Sequence, residues 1–220
     1  KEFGINVTAD NKEVVRQSEV ILLSVKPQYY EDVIKEIKDL ITDNQIVITI
    51  APGKTLSWLK EQFGKPVKIA RTMPNTPAMV GEGMTAVSFN ELLSQEEKDY
   101  VLTLLASFGK VEVVAENLMD GIVALSGSSP AYVFVLIAAM AYEAVLSGIP
   151  RAQAYKIAAQ AVLGSAKMVL ETGKHPAELK DMVCSPAGTT IAAVSKLEEK
   201  GFRSAIIEAM QECVAVSKSL

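Results

Sequence analysis

The stretch "EVILLSVKP", residues 19–27, decides the fold. Five of its first seven residues are apolar, and they do not alternate with polar ones. A strand that reads this way is covered on both faces, as in a parallel sheet flanked by helices. Pro27 stops the strand, and residues 29–41 then carry helical spacing, with Val33, Ile34, Ile37, Leu40 and Ile41 on one face. The same alternation repeats downstream. "IVITIA" (46–51) reads as a second buried strand, and Thr55 caps a helix that ends near Phe63 and stops at Gly64. "VKIARTM" (67–73) and "TAVSF" (85–89) are further strands. Ser94, with Glu97 three residues on, forms a capping box for a helix over 95–107, and "KVEVV" (110–114) closes the series. Strand–helix alternation predicts a Rossmann-type doubly wound parallel sheet. Upstream, "FGINVTAD" (3–10) reads as a helix end, a glycine and a short strand.

Beyond Asn117 the character changes. Nineteen of the 26 alanines lie past residue 120, and no strand-like run appears there. Helices are expected over roughly 118–125, 131–146, 151–171, 176–183, 188–199 and 202–219, with Gly148, Gly173 and Gly201 as stops. We therefore expect two domains, residues 1–117 and 118–220, the second all-helical. Small residues at this density suit close helix packing, and three long apolar helices in so small a protein call for a second copy to cover them.

Bulk properties narrow the function. A net charge of −4 and a pI near 5.2 lack the basic face that nucleic acid requires. The longest apolar run, 131–142, is too short to cross a bilayer and reads as a buried helix. The opening residues are too polar for a signal peptide. Cys184 and Cys213 give neither metal spacing nor a disulfide framework, and His175 stands alone, so no metal site is expected. A reduced, cytoplasmic protein is the expectation.

Three successive strand ends carry unusual sequences: "SVKP" (24–27), "IAPG" (50–53) and "RTMPNTP" (71–77). In doubly wound sheets the ligand sits beyond the carboxyl ends of the strands, so the three together predict a binding crevice. Pro74 and Pro77 frame Asn75 and Thr76 and stiffen that loop. No G-x-G-x-x-G is present. Lys26 is equally readable as a solvated loop residue or a phosphate partner. "SGSSPAYV" (126–133) fits a helix start or a ligand contact, and His175, ahead of Pro176, reads as a surface residue. "CSPAGTTIAAV" (184–194) places Ser185, Thr189 and Thr190 around a turn that opens a helix, with no ionisable side chain among them. Its N–H groups at Gly188, Thr189 and Thr190 would form an anion site fit for a carboxylate. A plain serine N-cap is the competing reading.

Taken in order, "VKP", "MPNTPAMVGEG", "LSGSSPAY" and "KDMVCSPAGTTIAAVSKLEEKGFRSAI" resemble pyrroline-5-carboxylate reductases over all 220 residues. Ser129 and Ala187 stand where that family usually has glycine. The resemblance also implies a Gly-rich strand–helix–strand unit ahead of Lys1, and without it residues 1–220 are expected to bind dinucleotide weakly. It implies reduction of a cyclic imine by NADPH, with NADH left open. Thr190 would be catalytic, bonding the ring nitrogen. Ser185, Gly188 and Thr189 would hold the carboxylate, with Glu116 near the substrate. Asn11, Ser24, Val25, Lys26, Pro27, Ile50, Ala51 and Pro52 would contact the dinucleotide, and Met73, Pro74 and Asn75 the nicotinamide. It further implies a homodimer, often built into a decamer. Two other readings stand beside it. A 3-hydroxyacid dehydrogenase-like reductase would need a helical lysine acid, but Lys167 has no asparagine one turn on. A non-enzymatic oligomerising helical module is the other.

Overall fold

The computed structural model describes residues 4–219. Five short strands, β1 (Val20–Leu23), β2 (Ile46–Thr49), β3 (Lys68–Met73), β4 (Gly83–Phe89) and β5 (Gly109–Val113), form one sheet in the order of the chain. Helix α1 (Asn11–Gln17) precedes β1, and α2 (Tyr30–Ile37), α3 (Leu56–Phe63) and α4 (Gln95–Ala106) connect the strands.

The side chains of β2 and β3 alternate between two cores. Val47 and Ile69 pack with Ile34 and Ile37 of α2 and with Leu59 and Phe63 of α3. Ile46, Ile48 and Ala70 pack with Val101 and Leu105 of α4. Helices thus cover both faces, as the unbroken apolar strands require. The α4 layer does not extend over all of β1, where Leu22 is 55% exposed.

The sheet is mixed rather than all-parallel. β1, β2 and β3 run parallel, β4 runs antiparallel to β3, and β5 is parallel to β4. Connection length explains the reversal. A parallel crossover needs a dozen or more residues, whereas residues 74–82 contain only the short 3-10 turn Thr76–Val80. At the start of β4 and β5, Gly83 and Gly109 lie opposite each other. A Cβ on Gly109 would sit 2.0 Å from the Gly83 carbonyl oxygen, so this pair must be glycine.

Local signals set the helix ends. Thr55 accepts from the Trp58 amide at 3.1 Å and Gly64 takes φ +65°, closing α3 as expected. Ser94 and Glu97 make both bonds of the capping box. Residues 5–7 form no strand: they are exposed, and no ladder partner meets them among the described residues. The helix end expected at residues 1–3 lies outside the described residues.

By its internal contacts the chain separates into two compact units. One holds the residues up to Ser128 together with those from Glu212 onward, and the other is Ser129–Gln211. In the first unit the expected helix over 118–125 is replaced by a 3-10 turn (Glu116–Leu118), a single α-turn, α5 (Met119–Ile122), and a π-turn (Val123–Gly127). The Ser128 amide reaches back to the Val123 carbonyl at 2.8 Å. Also in this unit, Ser217 donates to Asp120 at 2.8 Å.

The second unit contains α6 (Ser129–Leu146), α7 (Arg151–Thr172), α8 (Pro176–Val183), α9 (Thr189–Glu199) and the first part of α10 (Phe202–Lys218). Gly148, Gly173 and Gly201 all take positive φ at helix ends, as expected. His175 is more than a surface residue: its Nδ1 accepts the Ala177 amide at 3.1 Å and caps α8. The expectation of a buried helix at 131–142 fails within one chain. Among the described residues, one helical run, Glu116–Leu146, is long and apolar enough to cross a bilayer by length and composition, and its most apolar part is almost wholly unburied within one chain. The 3-10, α- and π-turns lengthen the run beyond the apolar stretch visible in the sequence. Within α6, only Ala141 is buried, while Phe134, Val135 and Leu146 face outward.

Candidate functional site

The parallel strands β1, β2 and β3 end on one side of the sheet, at Leu23, Thr49 and Met73. The loops expected to line a crevice therefore do converge: residues 24–27, 50–53 and 74–77 follow these ends directly. Ser24, Val25 and Lys26 are exposed, Pro27, Ile50, Pro52, Pro74 and Asn75 are half-buried, and Ala51 and Met73 are buried. A hollow of about 520 Å³ opens beside them, with Leu22, Ile48, Ile50, Pro74 and Asn75 in its wall.

Hydroxyls lace the three strand ends together. Tyr30, wholly buried, donates to the Leu23 carbonyl at 2.6 Å and accepts the Ile50 amide at 3.2 Å. Burial pushes the Tyr30 phenol up from its ordinary pKa, and the backbone of Ile50 and Ala51 opposes this in part. Thr72 donates to the Thr49 carbonyl at 2.8 Å, tying β3 to β2.

Asn75 is spent on the protein itself. Its Oδ1 accepts the Met84 amide at 2.9 Å, and its Nδ2 donates to the carbonyl and hydroxyl of Ser126, both at 3.2 Å. It thereby joins the proline-framed loop to the π-turn. Gly127 of that turn lies over Met73, where a Cβ would stand 3.4 Å from the Met73 sulfur. Asn11 sits at the exposed start of α1, bonded to Glu36 at 2.9 Å.

Glu116 is drawn into a structural pair. One carboxylate oxygen accepts from the nearly buried Arg71 guanidinium at 2.9 Å and from the Leu56 amide, at the N-terminus of α3, at 2.6 Å. Both acidic and basic groups line a cleft of about 320 Å³ with Gly53, Thr55 and Asp120.

In the helical unit, α8 ends at Val183 and a tight turn leads into α9. The Gly188 amide donates to the Ser185 carbonyl at 3.1 Å, Pro186 occupies the second turn position, and Ala187 the third with φ +57°. This is the pattern of a type II turn, which favours glycine at that third position. A Cβ on Gly188 would meet the Ser185 hydroxyl at 2.4 Å and the Ser185 carbonyl oxygen at 3.1 Å, so a side chain there would force the Ser185 hydroxyl to move. Gly188, not Ser185, is the N-cap of α9, which sets aside the serine-cap reading. The expectation of three outward amides needs correction: that of Gly188 is consumed within the turn. The amides of Thr189 and Thr190 belong to the first helical turn, and no acceptor meets them among the described residues. Ser185 and Thr189 are exposed and Thr190 is half-buried.

Ala187 pays for its left-handed backbone. Ala187→Gly is expected to raise stability by about 0.5–1 kcal/mol, the steric gain less the chain entropy that glycine adds. Urea denaturation measures this, and a loss of stability would show that the turn is not strained.

Sequence reading missed Tyr30, and it gave no individual role to Arg71, Thr72 or Ser126, although they stand in the quoted stretches 71–77 and 126–133. Tyr30 and Arg71 lie inside ordinary helix and strand patterns, and only the fold reveals what their polar ends reach. Lys167, the alternative reductase's acid, is exposed on α7 and pairs with Glu171 at 3.4 Å.

The sheet with helices on both faces, three parallel strand ends at one crevice and a following helical unit define a Rossmann-like oxidoreductase architecture. The family model "Pyrroline-5-carboxylate reductase dimerisation" matches residues 116–220, and "NADP oxidoreductase coenzyme F420-dependent" matches residues 1–53. The pyrroline-5-carboxylate reductase of Escherichia coli K12 is 53% identical over 219 residues, covering 100% of this chain and 81% of that protein. The crystal structure of Plasmodium falciparum pyrroline carboxylate reductase with NADP bound superposes with a TM-score of 0.92 at 31% identity, over 98% of this chain and 82% of that one. The Streptococcus pyogenes enzyme gives a TM-score of 0.92 at 34% identity, over 100% and 83%. The chain belongs to the pyrroline-5-carboxylate reductase family.

Proposed function

We propose that the protein reduces 1-pyrroline-5-carboxylate to L-proline with NADPH, the last step of proline biosynthesis, with NADH as the second candidate donor. The observation that carries the site assignment is the turn Ser185–Gly188. Together with Thr189 and Thr190 it presents two unsatisfied amides and three hydroxyls at a helix N-terminus, with no ionisable side chain in residues 185–190. Such an end attracts a carboxylate.

The crevice fits a dinucleotide. Three strand ends deliver their loops to one side, the place where nucleotides bind in such sheets, and the relative solved with NADP shares the fold over nearly the whole chain. When bound, the dinucleotide supplies the hydride. Ser24, Val25, Lys26, Pro27, Ile50, Ala51 and Pro52 line its path, with Asn11 at the rim. Met73 and Pro74 border the nicotinamide, and Asn75 holds that border in place.

The residues of the chain do the positioning. The amides of Thr189 and Thr190 and the hydroxyl of Ser185 hold the substrate carboxylate, and Gly188 gives the turn its shape. The Thr190 hydroxyl bonds the ring nitrogen. The protonated imine is already electrophilic, so no strong acid is needed: hydride adds to the imine carbon, the C=N π pair moves to nitrogen, and the proton already there remains. Orientation supplies the rate. Glu116 holds Arg71 and α3 and so shapes the wall on the dinucleotide side.

Residues 1–117 serve the dinucleotide and 118–220 the substrate and self-association. A second copy covers the outward apolar faces of α6 and α7, consistent with the dimerisation model over 116–220. The decamer is the assembly that the resemblance implies for such dimers. Cys184 and Cys213 are free thiols, in keeping with work in the cytoplasm. Light scattering at micromolar concentration is expected to find at least a dimer, and a stable 23.7 kDa monomer would overturn this part. The activity is tested by incubating the full chain with pyrroline-5-carboxylate and NADPH and identifying proline as the product.

A further inference from the structure

We propose that Tyr30 is a positioning residue for the dinucleotide, its phenol wedged between β1 and β2 to hold their carboxyl ends apart. The inference rests on the reading of that crevice as the dinucleotide site.

The ladder between the two strands ends at the pair Leu23 and Thr49. Just beyond it, the Leu23 carbonyl and the Ile50 amide both reach the same Tyr30 oxygen, at 2.6 and 3.2 Å. A carbonyl and an amide aimed at one point from neighbouring strands would otherwise meet as the next rung. The hydroxyl takes that rung's place by donating to one and accepting from the other, so both backbone groups stay satisfied while the strands part. The separation is where residues 24–27 and 50–53 leave the sheet.

Tyr30 is suited to this. It is the first residue of α2 and is wholly buried, with its ring packed among Leu23, Ile34, Val47 and Ala51. Each of its hydroxyl bonds meets a strand end, and none is free for a ligand in the same geometry. A phenol is protonated at neutral pH already, and burial pushes its pKa further up, so the wedge retains its donor. Thr72 makes the companion tie from β3 to the last residue of β2. The three strand ends are thereby preset, and a dinucleotide meets a formed edge rather than ordering one, which favours affinity.

The test is Tyr30→Phe in the full chain, which keeps the ring and removes only the oxygen. NADPH binding is followed by fluorescence titration without substrate. Loss of one neutral hydrogen-bonding centre predicts a rise in Kd of roughly threefold to tenfold. The KM for pyrroline-5-carboxylate is expected to stay unchanged at saturating NADPH. Val101→Ala, on the buried face of α4, serves as the stability control: it should lower the melting temperature without moving the NADPH Kd. Hydrogen exchange at the Ile50 amide gives a reading on the unaltered protein, where the amide should already be protected without NADPH.

A Tyr30→Phe variant that binds NADPH as tightly as the parent overturns the proposal. So does a Val101→Ala control with the same rise in Kd, since the effect would then be general destabilisation. If Tyr30→Phe does not fold, an Ile50 amide in the parent that exchanges freely until NADPH binds overturns it. Failure of the parent itself to bind NADPH would instead strike the dinucleotide reading, and this inference with it.

Discussion

Thr190→Val is expected to lower kcat/KM for pyrroline-5-carboxylate by roughly 10- to 150-fold, the effect of losing one hydrogen bond worth about 1.5–3 kcal/mol to a charged group. The argument is geometric. Thr190 is the second residue of α9, half-buried, directly after the Ser185–Gly188 turn. No hydrogen bond within the described protein engages its hydroxyl, so the group is available to a ligand. Valine has nearly the same shape, so the substitution removes the hydroxyl and opens no cavity. If Thr190 were only a first-turn helix residue, the change would alter stability by under about 1 kcal/mol and leave turnover alone. Steady-state kinetics beside a melting curve separate the two. A fall in activity with unchanged melting places Thr190 at the substrate, and unchanged kcat/KM removes it.

The largest effect on stability is expected at Glu116. Glu116→Ala strands the Arg71 guanidinium, which is 4% exposed, and takes the acceptor from the Leu56 amide. Breaking a buried ion pair costs about 3–5 kcal/mol. Glu116 itself keeps 32% side-chain exposure, so solvent screens one partner and the cost falls below that range. We expect a loss of about 2–3 kcal/mol in urea denaturation. Glu116→Gln retains an acceptor for Leu56 and should lose about half as much. Its KM for pyrroline-5-carboxylate also distinguishes two roles. An unchanged value leaves Glu116 a support for β3 and α3, whereas a raised value at intact stability brings it to the substrate. A loss under about 1 kcal/mol in the alanine variant would show that water or another group replaces the carboxylate.

What could be read from the sequence was local. Thr55 and Gly64 bracket α3 within nine residues, and Ser94 and Glu97 close their box within three. The turn at Ser185 was legible for the same reason, since proline, a small residue and glycine in a row allow few backbones. The antiparallel turn into β4 had a visible cause in the short, proline-framed connection, but strand alternation outweighed it. The roles of Asn75 and Tyr30 were not legible. Asn75 is held by Met84 and Ser126, nine and 51 residues away, and Tyr30 by Leu23 and Ile50, seven and 20 away. Such bonds follow from how strands are laid side by side, not from any neighbouring residue. Nor could the sequence show that Gly188 would spend its amide inside the turn, because that depends on Ala187 accepting a left-handed φ.

The central claim is that hydride reaches the imine carbon of a substrate held by its carboxylate and ring nitrogen. It is tested most directly by supplying the full chain with pyrroline-5-carboxylate and NADPH deuterated at the transferring C4 position, then locating the label in the product by NMR. The account predicts proline carrying a single deuterium on the ring carbon that had been the imine carbon, formed at the same position but more slowly by Thr190→Val. Unlabelled proline, label at another carbon, or no proline at all would contradict it.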